Sequence, residues 1–181
     1  MRILFALPVV LLFPAAAALP AWAEKEYLTP AEIEKIQDTH EIDRRVQLLL
    51  DAGALRLRTA QERLTGKESE PGDPLELFSV EDLLDGYYRI VRSVMFTLDD
   101  SLQKPAQDKT RFSKALKNLK DAAERALKEL ALLKQMAEQQ KLEEPWNLVN
   151  RGIEITNGAL EGALEALGKE PKTEQPRKKK S

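Results

Sequence analysis

The sequence contains no cysteine. That excludes disulfide staples, a lipoprotein anchor and covalent attachment of a c-type haem, so stability must come from packing alone. Histidine is nearly absent too, with His40 the only one. A zincin needs two histidines in H-E-x-x-H, and in "HEIDR" Arg44 stands where the second would be. A ferritin-like di-iron site needs two Glu-x-x-His units, but residue 37 is Gln. No G-x-S-x-G elbow offers a nucleophilic serine. "GALEALGKE" is no P-loop: five residues separate Gly162 from Gly168, and neither Ser nor Thr directly follows Lys169. Aromatics make up only 6% of the chain, and no stretch alternates apolar and polar residues with period two.

Charge is plentiful at 32%. Ala, Leu, Glu and Lys dominate, which is the profile of long amphipathic helices. The first residues stand apart. Arg2 precedes the apolar run "ILFALPVVLLF", which is shorter than the roughly 20 residues of a membrane span. "AWA" then places small residues, Ala21 and Ala23, where a signal peptidase cuts. The expectation is a cleaved signal peptide over 1–23, a mature chain from Glu24, and export to the periplasm or the medium. No later apolar run is free of charges, so no transmembrane segment is expected in the mature chain.

The charge is unevenly placed. From Lys169 onward six bases face Glu170 and Glu174, a net +4. Without Arg2 the mature chain has 27 bases against 30 acids, so the body before the tail carries −7. An acidic body argues against nucleic acid as a partner of the folded part. The tail, 169–181, is too poor in apolar residues to fold and is expected to be disordered. Its bases would contact an anionic surface at about 1 kcal/mol each near a charged membrane, or serve only as a solubilising end.

Four helices are expected between 24 and 168. "LTPAEI" opens the first, over about 30–65. Thr29 caps, Pro30 suits the first position, Glu32 completes a capping box, and Leu28 and Ile33 form a staple. Ile42, Val46, Leu49, Leu57, Ala60 and Leu64 make its stripe, but Ile33, Ile36 and His40 fall on the opposite face. Either the chain bends near "QDTHE", where Asp38 and Glu41 can form a second capping box, or the beginning packs elsewhere. Gly66 suits a left-handed end. The second helix, about 80–104, starts with Ser79 as cap, Asp82 at the third position and Phe78 stapled to Leu83. It carries Leu84, Tyr87, Val91, Val94, Leu98 and Leu102, and it ends at Pro105.

The third helix, about 108–142, has a coiled-coil-like heptad seam: Phe112, Leu116, Leu119, Ala123, Ala126, Leu130, Leu133 and Ala137. The fourth, about 145–167, carries Trp146, Val149, Ile153, Leu160, Ala163, Leu164 and Leu167, with Gly168 closing it. Gly152, Gly158 and Gly162 weaken this helix unless a neighbour approaches closely. Short connections favour antiparallel neighbours. The expected fold is all-α: an antiparallel up-down-up-down four-helix bundle with long first and third helices.

Some chemistry is left to weigh. His40 with Met95 or Met136 could hold a b-type haem, though a helical histidine is more often structural. Paired carboxylates (Asp99-Asp100, Glu143-Glu144, Glu81-Asp82) point about 100° apart on a helix and do not converge as a dyad. Tyr87, Tyr88, Phe112 and Trp146 could form an aromatic ligand patch, but most fall on apolar stripes and fit core packing better.

With Leu28 and Thr29 in place, "LTPAEIEKIQD" resembles the L-T-x-x-Q opening of the periplasmic stress chaperones of the Spy and CpxP type. Glu32 stands in place of the glutamine, and the second motif is missing at Leu64–Gly66. The resemblance implies curved dimers that hold unfolded clients on a concave surface, and it assigns no residue roles. The residues themselves lead to an exported, non-catalytic bundle with no cofactor. It would act through a protein partner or self-association, chaperone-like or scaffold-like in the cell envelope. The alternative is a bundle that binds a small ligand or haem.

Overall fold

The computed structural model describes residues 26–103 and 108–169. The expected signal peptide, the mature start at Glu24, the break at Pro105 and the tail beyond Lys169 lie outside them. The described residues form five helices and no strand: α1 (Pro30–Gln37), α2 (Ile42–Leu64), α3 (Val80–Leu102), α4 (Lys109–Gln139) and α5 (Glu143–Lys169). The helices pack as a bundle, and none of them is long and apolar enough to cross a membrane.

The helix expected over 30–65 is two helices. α1 begins on the expected capping box: the Thr29 amide donates to Glu32 Oε2 at 2.7 Å and the Glu32 amide to Thr29 Oγ1 at 3.3 Å. It stops after eight residues, and the chain reverses through 38–41. The reversal is what the opposed apolar faces require, since one straight rod cannot bury both stripes on one partner. It is not held by a second capping box. Asp38 ends α1, and Glu41 is the N-cap of α2 with no side-chain capping hydrogen bond. Arg45 holds the turn instead, donating through Nε and Nη2 to the Thr39 carbonyl at 3.1 and 2.8 Å. α1 then runs back along α2, with Ile33 and Ile36 against the core and Glu32 reaching Arg56.

α3 starts on the expected Ser79–Asp82 capping box. α2 ends with Gly66 at φ 84°, the left-handed conformation that favours glycine. α4 buries every residue of its expected seam except Ala126, which is half-buried. Each fully buried leucine there stabilises by roughly 1.5–3 kcal/mol relative to exposure. α5 departs from expectation. Its buried face is Val149, Gly152, Thr156, Ala159 and Ala163, while Trp146 and Leu164 are exposed. The stripe is rotated towards smaller residues because α4 comes close. A Cβ on Gly152 would lie 3.1 Å from Leu130 Cδ2, whereas Gly158 and Gly162 face open space. Gly168 lies inside α5 and does not end it.

The helix order around the bundle also differs. α2 and α4 are parallel neighbours: Lys114 Nζ donates to Asp43 Oδ2 at 2.8 Å near their starts, and Gln140 Nε2 to the Leu64 carbonyl at 2.8 Å near their ends. α3 and α5 are parallel too, through Tyr87–Thr156 and Asp85–Arg151. α2 is antiparallel to α3, with Gly53 facing Ile90 and Gly86 facing Arg56. α4 is antiparallel to α5, with Leu130 on Gly152 and Lys134 over Trp146. Directions alternate along the chain as expected, but α3 and α4 are diagonal and barely touch, and α2 and α5 are diagonal as well. The molecule is two antiparallel hairpins laid side by side. The Leu102–Lys109 link can reach about 20 Å, enough for a diagonal of about 14 Å between helices about 10 Å apart.

Candidate functional site

Three concave regions stand out among the described residues. The first is a groove of about 490 Å³ between α1 and α3. Leu28, Ile36 and Leu49 form its apolar bed, and Arg45, Arg89 and Arg92 line it with no carboxylate among them. Phe96 stands at its edge with 74% of its surface in water. Arg89, Arg92 and Phe96 are three, then four residues apart, so they share one face of α3 opposite its core stripe. Arg89 also sits over the Tyr27 ring at 4.5 Å.

The groove exists because α1 is strapped down. Arg56 is completely buried and donates from Nη1 and Nη2 to the two Glu32 oxygens, with Nη2–Oε2 at 2.6 Å. Arg56 Nη2 also donates to the Tyr27 carbonyl at 3.0 Å, and the Tyr27 hydroxyl pairs with Ser93 Oγ at 2.9 Å. Burial alone would raise the Glu32 pKa. Hydrogen bonds from Arg56 and the Thr29 amide, with the Arg56 charge, outweigh it and hold the carboxyl below its ordinary value. This pairing explains locally why Leu28, Thr29 and Glu32 occur together: Leu28 is buried, Thr29 caps, and Glu32 both completes the cap and neutralises Arg56.

The second region is a window between α2 and α4, a cavity of about 70 Å³ that reaches the bundle axis. Its floor is the buried Tyr87–Thr156 hydroxyl pair, 2.7 Å apart. Burial, with the Glu129 charge adding, pushes the Tyr87 hydroxyl up to about 12, against the lowering effect of Thr156. Glu129 lines the same cavity, and its carboxyl is raised by burial against the lowering pull of Arg58 and Arg125. The third region is a cleft at the other side of α3, where Glu81, Asp82 and Asp85 meet Glu144 of α5 alongside Arg89 and Arg151. Asp82 there serves the α3 cap, accepting from the Ser79 amide at 2.8 Å.

The sequence-derived candidates are scattered. His40 is exposed in the 38–41 turn at the start of α2, while Met136 lies at the end of α4 that pairs with the end of α2. α2 is 23 residues long. Its two ends are therefore about 35 Å apart at the helical rise, so His40 and Met136 form no haem pair. Met95 is half-buried against the core. The four aromatics form no patch. Tyr87 and Phe112 are core residues, Tyr88 is flanked by Arg92 and Arg151, and Trp146 is exposed under Lys134. Among the described residues no group of three or more His, Asp or Glu side chains is placed to hold a metal.

Arg45, Arg89, Arg92 and Phe96 escape any reading in which charge outside a core stripe is merely solvated. The signal that finds the last three is their spacing, which puts two cations and an aromatic on one helix face. Comparison of the chain with protein-family models, with curated proteins and with solved structures finds no match in any of the three.

Proposed function

We propose that this is a non-catalytic bundle, exported to the cell envelope, that works by gripping other proteins in the groove between α1 and α3. The observation that carries the reading is Phe96, which is 74% exposed beside an apolar bed that three arginines line. A bare aromatic costs free energy in water, and aromatic and arginine side chains are the residues on which binding energy concentrates. The occupant that complements this groove is an amphipathic protein segment with leucine-like residues on one face and carboxylates on the other. An unfolded client presents such segments, and so does a partner helix, so chaperone-like and scaffold-like roles use the same surface.

The test uses a fluorescent amphipathic peptide of leucine, alanine and glutamate, with a counterpart in which lysine replaces every glutamate. Anisotropy should rise saturably for the acidic peptide only, and Phe96→Asp and Arg92→Glu should each weaken it. Equal binding of both peptides, or none of either, would remove this reading.

A further inference from the structure

The window between α2 and α4 is braced at both ends, by Lys114–Asp43 and by Gln140 on the Leu64 carbonyl, each at 2.8 Å. Between the braces small side chains leave the space between the helices unfilled: Ala54 on α2, Ala122, Ala123 and Ala126 on α4, with Ala159 of α5 behind. The walls are therefore aliphatic and the floor is polar.

The protons on that floor can be assigned. Thr156 Oγ1 lies 2.6 Å from the Gly152 carbonyl. A carbonyl only accepts, so the one threonine proton goes there. The Tyr87 hydroxyl, 2.7 Å from Thr156 Oγ1, must then donate to it. Tyr87 is left presenting lone pairs to the cavity. At the mouth, Gln47 Nε2 donates to Asp51 Oδ1 at 2.7 Å, so that carboxylate is again an acceptor. Glu129 lines the cavity between floor and mouth and makes no hydrogen bond or ion pair within the described residues. Two cations act on it, Arg58 and Arg125; both are exposed to water, and Arg125 also lines the cavity. Tyr87, Asp51 and Glu129 offer acceptors to the cavity, Gln47 and Arg125 are the donors in its lining, and Glu129 is a half-buried carboxylate with no hydrogen-bond or ion-pair partner among the described residues.

We propose that this cavity is a binding site for a small primary alkylammonium ion. The ammonium group would donate to Glu129 and to the Tyr87 oxygen, and the alkyl chain would lie along the alanines. A buried carboxylate is costly until an opposite charge with hydrogen bonds reaches it, and an ammonium supplies both. A neutral alcohol brings no charge, and a carboxylate would be repelled. The cavity volume is about 70 Å³. That is space for about two waters at their liquid share of about 30 Å³ each, so the cavity takes an ammonium group and the first carbons of a chain such as that of hexylamine, with the rest of the chain in the mouth.

Hexylamine, 1-hexanol, hexanoate and norleucine can each be titrated into the ¹⁵N-labelled protein and followed by amide shifts. Hexylamine should shift Ala123, Ala126 and Thr156 saturably, hexanol much more weakly, and hexanoate not at all. Glu129→Gln should weaken hexylamine by about tenfold or more, the loss of a charge-assisted bond. Ala126→Leu, which fills the cavity, should abolish it while the circular dichroism stays helical. Binding of hexanol equal to hexylamine, saturation by norleucine in preference to it, insensitivity to Ala126→Leu, or no shifts at all would each overturn the assignment.

Discussion

Glu32 and Arg56 are 24 residues apart in the chain and form a two-pronged ion pair whose guanidinium has no access to water. The same carboxylate closes the capping box of α1. One side chain thus starts a helix, fixes the reversed hairpin of α1 on α2, and keeps a buried cation neutralised. The groove of the proposed function is one consequence of that pair.

Removing either partner leaves the other stranded. Arg56→Met should cost about 3–5 kcal/mol in denaturant unfolding, the loss typical of breaking a buried pair from one side. Replacing both partners by apolar residues should cost less than the single change, and equal losses would show that the pairing itself contributes nothing.

The pair also sets a pH dependence. The Glu32 carboxyl is held below its ordinary value of 4.5 in the folded state, and Asp43, hydrogen-bonded by Lys114 against its burial, is held below 3.8. A depressed carboxylate contributes stability that is present above the unfolded value and is lost as pH falls through the folded one. Unfolding free energy should therefore drop as pH falls below about 4.5, and Glu32→Gln should flatten that drop. Glu129 has the opposite sign. Its carboxyl is raised by burial, so its contribution is present below 4.5 and is lost as pH rises through the folded value. Glu129→Gln should then leave stability at neutral pH equal to or above that of the parent. A parallel pH curve for every variant would contradict these assignments.

The glycines of α5 separate packing from propensity. Gly158 and Gly162 face open space. Gly158→Ala and Gly162→Ala should each stabilise by about 0.5–1 kcal/mol. Gly152→Ala would push a methyl to within 3.1 Å of Leu130, which is fully buried, so it should destabilise by overpacking. Thermal midpoints of the three single variants decide it, and a gain at Gly152 would mean that α4 and α5 are looser than described.

Much of this was legible beforehand, and particular residues show why. Thr29 with Glu32 and Ser79 with Asp82 announced two helix starts, because capping is local chemistry. The Phe112–Ala137 seam announced α4, because a long heptad pattern has few other uses. Arg56 was legible but unread: it falls between Gly53 and Ala60 on the buried face of α2, where a charge must have a partner. Two features lay beyond one sequence. Short links imply alternating directions but do not say which helices become neighbours, so the diagonal α3–α4 crossing could not be derived. The apolar residues of α5 at helical spacing include Trp146 and Leu164 as well as the buried Val149 and Ala163, whereas close approach of α4 selected Gly152, Thr156 and Ala159.

The most direct test of the proposed function is light scattering from an acidic protein unfolded by reduction of its disulfides, with this bundle added in rising amounts. Suppression of aggregation that saturates near stoichiometric ratios, and that Phe96→Asp removes without altering helicity or unfolding midpoint, is the predicted result. Aggregation unchanged by the parent protein, or suppressed equally by Phe96→Asp, would contradict it.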